Sequence, residues 1–222
     1  MNDALKVENL LDLTKTIASD IFNNLTYPWE ALSKISDFII ELGKTLSEDE
    51  YEKHGENIWV ARSAKVAPTA FLAGPLIICP GAEIRHCAFI RGSAIVGKNT
   101  VIGNSSELKN CIIFDNAQVP HYNYIGDSIL GFKSHLGAGA KTSNLKSDKS
   151  LVTISTKDGK IDTGLKKFGA VVGDNVEVGC NAILNPGTVI GRNTMVYPLS
   201  MVRGFIPQNS IYKKQGEIAE KI

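Results

Sequence analysis

Charge of one sign is nearly absent as an excess. Lys and Arg number 24 against 23 Asp and Glu, leaving +1 over 222 residues. Bulk attraction to nucleic acid or to an anionic membrane surface is therefore not expected. Long hydrophobic runs are missing too, and no stretch approaches the ~20 apolar residues that cross a bilayer. The opening MNDALKVENLL has acidic residues early and no apolar core, unlike a secretory signal. Cysteine is sparse, and Cys79, Cys87, Cys111 and Cys180 contain no C-x-x-C pair. They read as reduced packing residues of a cytoplasmic protein rather than a disulfide frame. The rest, 43% hydrophobic and 21% charged, is an ordinary globular composition.

What the sequence does have is a period of six. Val60, Val66, Leu72, Ile78, Ile84, Ile90, Val96, Ile102, Leu108 and Phe114 hold one phase, and Val172, Val178, Leu184, Ile190, Val196 and Val202 resume it. A helix repeats near 3.6 residues and a simple strand near 2, so neither explains the pattern. Period six is the hexapeptide signature of a β-solenoid. The expected fold is a left-handed parallel β-helix of triangular section, three hexapeptides to a coil. Small residues often follow the apolar one (Ala61, Ala67, Gly97, Gly103, Gly173, Gly191), as tight corners would need.

The chain divides into a helical N-terminal segment (1–54), the solenoid (55–205) and a C-terminal tail (206–222). Asp3 to Asn24 reads as an amphipathic helix on Leu5, Leu10, Leu13, Ile17 and Ile21. A second helix starts at Pro28, which suits a first helical turn. These helices are expected to cap an open solenoid end or to pack between subunits. The repeat is lost near VPHYN (119–123), where a loop would place function. A second interruption, about 150–168, reads as a protruding hairpin turning at Asp158-Gly159. The tail reads as a short polar helix or an extended segment.

His121 stands at the first interruption among Tyr122, Asn123 and Tyr124. Imidazole can exchange a proton near neutral pH, as a general base must; a loop-fixing role is the alternative. His86 lies inside a coil and reads as structural, and His54 as solvated. Arg91 and Lys109 each follow an inward apolar position one 18-residue coil apart. Stacked on one edge, a planar fork and a point charge could hold phosphate, or both could be solvated surface cations. LGAGAKTSNLKSDK (136–149) is rich in small residues without being a Walker loop.

With these residues assembled, the chain resembles a known family. It is similar to the acetyltransferase domain of the bifunctional UDP-N-acetylglucosamine pyrophosphorylase/glucosamine-1-phosphate acetyltransferases, the archaeal type above all. The likeness runs from about Tyr27 to Tyr212. It rests on H-x-x-Y-x-G-D (His121–Asp127), L-G-A-G-x-x-x-x-N ending at Asn144, E-x-K (Glu107–Lys109), TGLKKFGAVVGDN and YPWEAL. The resemblance implies His121 as general base, and Arg91 and Lys109 at phosphate and sugar contacts. Tyr124 and Asn144 fall at sugar positions, and Ala138 and Cys180 at acetyl-CoA contacts. His135 stands where the family has an asparagine, and a family lysine aligns nearest Lys149, shifted by one. The family's G-x-G-T-R-like nucleotide loop is absent, so uridylyl transfer is not expected. A homotrimer with sites between subunits is implied.

The expected activity is transfer of acetyl from acetyl-CoA to the 2-amino group of a hexosamine 1-phosphate, with either the glucosamine or the galactosamine epimer as acceptor. Two other readings remain. One is a catalytically idle trimeric scaffold or sugar-phosphate sensor. The other is a zinc site of the γ-carbonic anhydrase kind using His86 and His121, for which the third ligand position falls at Gly126.

Overall fold

The computed structural model describes residues 2–214 and 216–220. From Ile58 onward, strands of two to seven residues pair in parallel with the strand one coil later. The coils build the left-handed β-helix expected from the period. Three ladders result. The first runs through Ile58–Ala61, Leu76–Ile78, Ala94–Val96 and Ala170–Val172. The second runs through Lys65–Val66, Val101–Asn104, Gln118–His121 and His135–Leu136. The third runs through Phe71–Ala73, Phe89–Arg91 and Lys141–Thr142. Alternation along each strand sends Val60, Ile78, Val96, Ile84, Ile102, Ile90 and Leu108 inward, where they form one continuous buried core.

Asparagine makes one corner of the prism. Asn99, Asn116, Asn175, Asn193 and Asn209 adopt φ of 53–58°, the left-handed region that asparagine enters more readily than other side chains. The small residues after the inward positions thus serve another need than the expected one. Gly97 and Gly173 precede the positive-φ residue by two places, and their own requirement is clearance. The clearest case is Gly103, where a Cβ would lie 1.5 Å from the Pro120 carbonyl oxygen of the next coil.

Register corrects the sequence reading at the interruption. Leu108 pairs with Ile90, an 18-residue step, but Cys111 pairs with Ala94 and Ser128 with Cys111, steps of 17. Asn110 and Asp127, at φ of 48° and 46°, each turn a corner with one residue fewer. Phe114 is therefore off the inward column, which Ile113 occupies. Phe114 packs outside the prism against Phe22, with ring centroids 6.0 Å apart. No loop forms at 119–123, because Gln118–His121 continues the second ladder without a gap.

The N-terminal segment also differs from expectation. Asp3–Asn24 is not one helix but a single α-turn, Val7–Leu10, between short 3-10 turns at Asn2–Leu5, Leu13–Lys15 and Ser19–Phe22. Asp12 breaks it: its carboxylate accepts the Thr14 N–H at 3.0 Å, and its own N–H donates to Asp174 at 2.8 Å. The second helix likewise splits into a 3-10 turn, Pro28–Ala31, and an α-helix, Ile35–Gly43. The segment's last strand, Tyr51–Gly55, pairs antiparallel with Ile58–Ala61 and covers the open edge of the first ladder, but the helical part covers a side. It lies as a strap along the first face, burying Ile77, Ile95, Ile112, Ile129, Val171 and Val189 beneath Leu10, Phe22, Trp29, Ile35 and Ile39.

The hairpin is present, Thr153–Thr156 against Gly159–Asp162, with its turn at 157–160 exposed and its base packed against the prism. Val152, Ile154 and Phe168 are fully buried in the same cluster as the strap. At the C-terminal end, parallel pairing continues past residue 205 to Tyr212. The segment expected as helix or tail forms an antiparallel hairpin, Ser210–Lys214 with Glu217–Glu220. The tail's residues 215, 221 and 222 lie outside the described residues.

Candidate active site

The shortened corner gathers the polar side chains. Asp127 sits at its tip with only 6% of its side chain exposed. Lys109 Nζ donates to both Asp127 oxygens, at 3.2 and 3.0 Å, and Asn110 Nδ2 donates to Oδ1 at 2.9 Å. Asn144 Nδ2 donates to Oδ2, and lies 3.3 Å from the Tyr124 hydroxyl. Gly126 is glycine because the Tyr124 ring lies over it; a Cβ there would stand 2.5 Å from the hydroxyl oxygen. One coil earlier, Arg91 Nε donates to Glu107 Oε1 at 2.6 Å. Glu107, with Tyr124 beside it, pushes the Arg91 guanidinium pKa up from its ordinary value. Each of the two stacked cations thus has a carboxylate of its own.

His121 is on the neighbouring edge, three residues before Tyr124. Its ring is exposed and makes no hydrogen bond among the described residues. Its backbone is held instead: the N–H donates to Asn123 Oδ1 at 3.0 Å, and the carbonyl accepts from Gly139 N–H at 2.9 Å. Asn123 is 3% exposed and donates to the Gly137 and Ala140 carbonyls at 2.8 and 3.1 Å. The Gly139-to-His121 bond puts Ala138 on the rung beside His121, and Asn181 N–H to the Ala138 carbonyl, 2.8 Å, puts Cys180 on the next. Rungs in a sheet are about 4.8 Å apart. His121, Ala138 and Cys180 therefore stack on one edge.

Beside that edge lies an open, mostly apolar groove of about 510 Å³. Gly137 and Gly179 form its floor, and Cys180, Met195, Tyr197 and Pro198 its far wall. His135 bounds it, with Nδ1 2.7 Å from Glu177 Oε2. Cys180 is exposed, whereas Cys79 and Cys111 are buried and their thiols pushed up to about 12 by desolvation. Those two are packing residues. Lys149 is exposed in a turn and no side-chain contact among the described residues ties it to the cluster. His86 Nδ1 lies 2.8 Å from Thr69 Oγ1. Among the described residues no three His, Cys, Asp or Glu side chains gather as metal ligands. No helix among them is long and apolar enough to cross a membrane.

Comparison with known proteins places this geometry. The family described as the GMPPB C-terminal domain matches residues 72–192. An uncharacterized acetyltransferase, YaiX of Escherichia coli O6:K15:H31, is 30% identical over 74% of this chain and 71% of its own. The chain belongs to the hexapeptide-repeat acetyltransferase family. Two further members of this acetyltransferase family extend the match. Bifunctional protein GlmU of Methanococcus maripaludis is 33% identical over 98% of this chain and 54% of its own. A bifunctional sugar-1-phosphate nucleotidylyltransferase/acetyltransferase of Sulfurisphaera tokodaii is 31% identical over 57% and 31%. The chain spans about half the length of the GlmU relatives it matches.

Set in the acetyltransferase frame, the structure adds residues that sequence reasoning missed. Phe168 N–H donates to the Asn144 carbonyl at 3.0 Å, and Gly169 N–H to that of Asp127 at 2.8 Å. This brings exposed Lys166 and Lys167 to the border of the Asp127 cluster, and neither has an ion pair among the described residues. The signal was the KK of TGLKKFG. Its position depends on how the chain returns from the hairpin, which spacing does not give.

Proposed function

We propose that the chain transfers acetyl from acetyl-CoA to the amino group of a hexosamine 1-phosphate. The carrying observation is the stack of His121, Ala138 and Cys180 beside the apolar groove, one corner from the polar Asp127 cluster. The groove, with its glycine floor, suits a slender acyl-thioester arm. The cluster suits a polar, anionic acceptor. The amine must attack the thioester carbonyl with its lone pair free, and the nitrogen sheds a proton as the bond forms. His121, exposed and with both ring nitrogens uncommitted, takes that proton. The C–S bond then breaks, and the imidazolium can return the proton to the departing thiolate. Tyr124, Asn144 and Lys109 orient the sugar, with Arg91, Lys166 and Lys167 supplying positive charge for the phosphate. Holding amine and thioester together makes the attack effectively unimolecular.

The test is release of free CoA by purified protein given acetyl-CoA and either glucosamine 1-phosphate or galactosamine 1-phosphate. Acceptor-dependent release is expected. Removing a general base costs about 10²–10⁴-fold, so His121→Ala should fall by that factor with both ligands still bound. Turnover near the wild-type rate in that variant removes His121 from the mechanism. Absence of release with either sugar, together with failure to bind acetyl-CoA, points to the idle scaffold instead.

A further inference from the structure

We infer that Asp127 is a positioning residue for the acceptor: it fixes Lys109 and Asn144 in the orientation that meets the sugar phosphate, and it ties that orientation to the N-terminal strap. This rests on the acetyl-transfer reading of the site. Nothing in that chemistry requires a carboxylate at position 127. A buried negative charge beside an anion site would repel the ligand unless its own field were consumed locally. Here it is consumed. Three donors converge on it: Lys109 Nζ on both oxygens, Asn110 Nδ2 at 2.9 Å on Oδ1, and Asn144 Nδ2 on Oδ2. The carboxylate is the only kind of side chain of this size that accepts from all three at once.

The corner itself is built for this contact. Asn110 and Asp127 occupy equivalent single-residue corners on successive 17-residue coils, both in the left-handed region. Removing one residue from each corner leaves Asn110 facing Asp127 across one rung. Asn110 Nδ2 also reaches outward, donating to the Leu32 carbonyl of the strap at 3.1 Å. The backbone of Asp127 adds a second tie, since its carbonyl accepts from Gly169 N–H at 2.8 Å. Gly169 directly follows Lys166, Lys167 and Phe168. One residue thus holds the strap, the stacked lysine, the sugar-facing asparagine and the return from the hairpin in mutual register.

Asp127→Asn is the discriminating change. It keeps the shape but presents an NH₂ to groups that are all donors, and it leaves Lys109 without its counter-charge. Calorimetric titration with glucosamine 1-phosphate and, separately, with CoA reads the result. The expected outcome is acceptor affinity weakened tenfold or more, with CoA affinity changed less than twofold. Because the lone Lys109 charge could destabilise the variant, Lys109→Met and the Lys109→Met/Asp127→Asn double variant are measured alongside, the latter removing both charges. If Asp127 acts through Lys109 and Asn144, the double variant loses less acceptor affinity than the two single losses combined, retaining beyond Lys109→Met only the share that Asn144 carries. Unchanged acceptor binding in folded Asp127→Asn, equal loss of both ligands, or additive losses in the double variant overturns the inference and leaves acetyl transfer standing. Wild-type protein that binds no hexosamine 1-phosphate overturns the acetyl-transfer reading, and the inference with it.

Discussion

At the scale of single residues, two buried carboxylates behave differently because their surroundings do. Asp127 is surrounded by side-chain donors at the candidate site, whereas Asp174 serves the strap. Asp174 is 3% exposed and accepts the Asp12 and Phe132 N–H groups, both at 2.8 Å. Arg192 Nε is 3.1 Å away but off the hydrogen-bond direction, so the charge is incompletely compensated. Burial accordingly raises the Asp174 pKa above the ordinary 3.8. The sign follows from proton uptake. As pH falls, the native state binds this proton before the unfolded chain does, so stability attributable to Asp174 increases on acidification through the raised folded value toward 3.8. The wild type should therefore gain stability relative to Asp174→Asn between pH 7 and about pH 4.5. Urea midpoints of the two proteins at both pH values check this, and a difference that shifts the opposite way would contradict it. Asp115, also raised by burial, contributes in the same direction to both proteins and cancels.

At the scale of elements, the coils are spaced by backbone clearance, and this connects stability to the site. Gly103 lies beneath Pro120, whose neighbour is His121. Overpacking a filled interior costs about 1–3 kcal/mol, and a Cβ at 1.5 Å from a carbonyl oxygen cannot be relieved by turning a side chain. Gly103→Ala should lower the thermal midpoint and also depress turnover, because the rung that moves carries the imidazole. Gly55→Ala is the control: its Cβ would meet only Ile58 Cδ1 at 3.5 Å, an ordinary contact. Equal behaviour of the two variants in melting and CoA-release assays would count against this account. The same spacing explains what could be read from sequence. Inward residues recur every six positions as long as corners have equal length, so the core from Val60 to Leu108 was legible. Phe114 was misplaced because one residue is missing at Asn110, and a deletion looks the same in sequence as a loop. The strap was misread for a different reason. Leu5, Leu10 and Ile21 have helical spacing, but they pack on a flat sheet, and Asp12 and Asp174 hold the intervening turns open. His121 and Lys109 stood out by their place in the repeat, and Asn144 only through the family resemblance. The role of Asp127 depends on which donors converge at a short corner, and only three-dimensional register shows that.

At the scale of the whole molecule, the three faces are unequal. The first is closed: six outward aliphatic residues lie under the strap and hairpin, and at about 1.5–3 kcal/mol per buried side chain this cover contributes on the order of 10 kcal/mol before entropy is counted. The third face has no such cover. Phe71 and Phe89 are 58% and 39% exposed with rings 5.4 Å apart, and Met201 at the far end of the same ladder is 49% exposed, with Leu199 at the adjoining corner 79%. Between them, on the same outward column, stand Glu107, Tyr124 and Lys141 of the candidate site and its border. Exposed aromatic residues flanking polar ones in this way mark an association surface. A prism with one closed face and two open ones closes most simply as a three-fold ring, each open face meeting the other kind on the next copy. The expected state is a homotrimer, with the Tyr124 column facing the neighbouring copy and the acceptor enclosed between the two. Light scattering should give three times the chain mass. Phe71→Glu, which alters no residue assigned to chemistry, should shift the protein toward monomer and lower CoA release in proportion to the trimer lost. A monomeric wild type with full turnover would show that one prism suffices, and that the apolar column serves something other than the site.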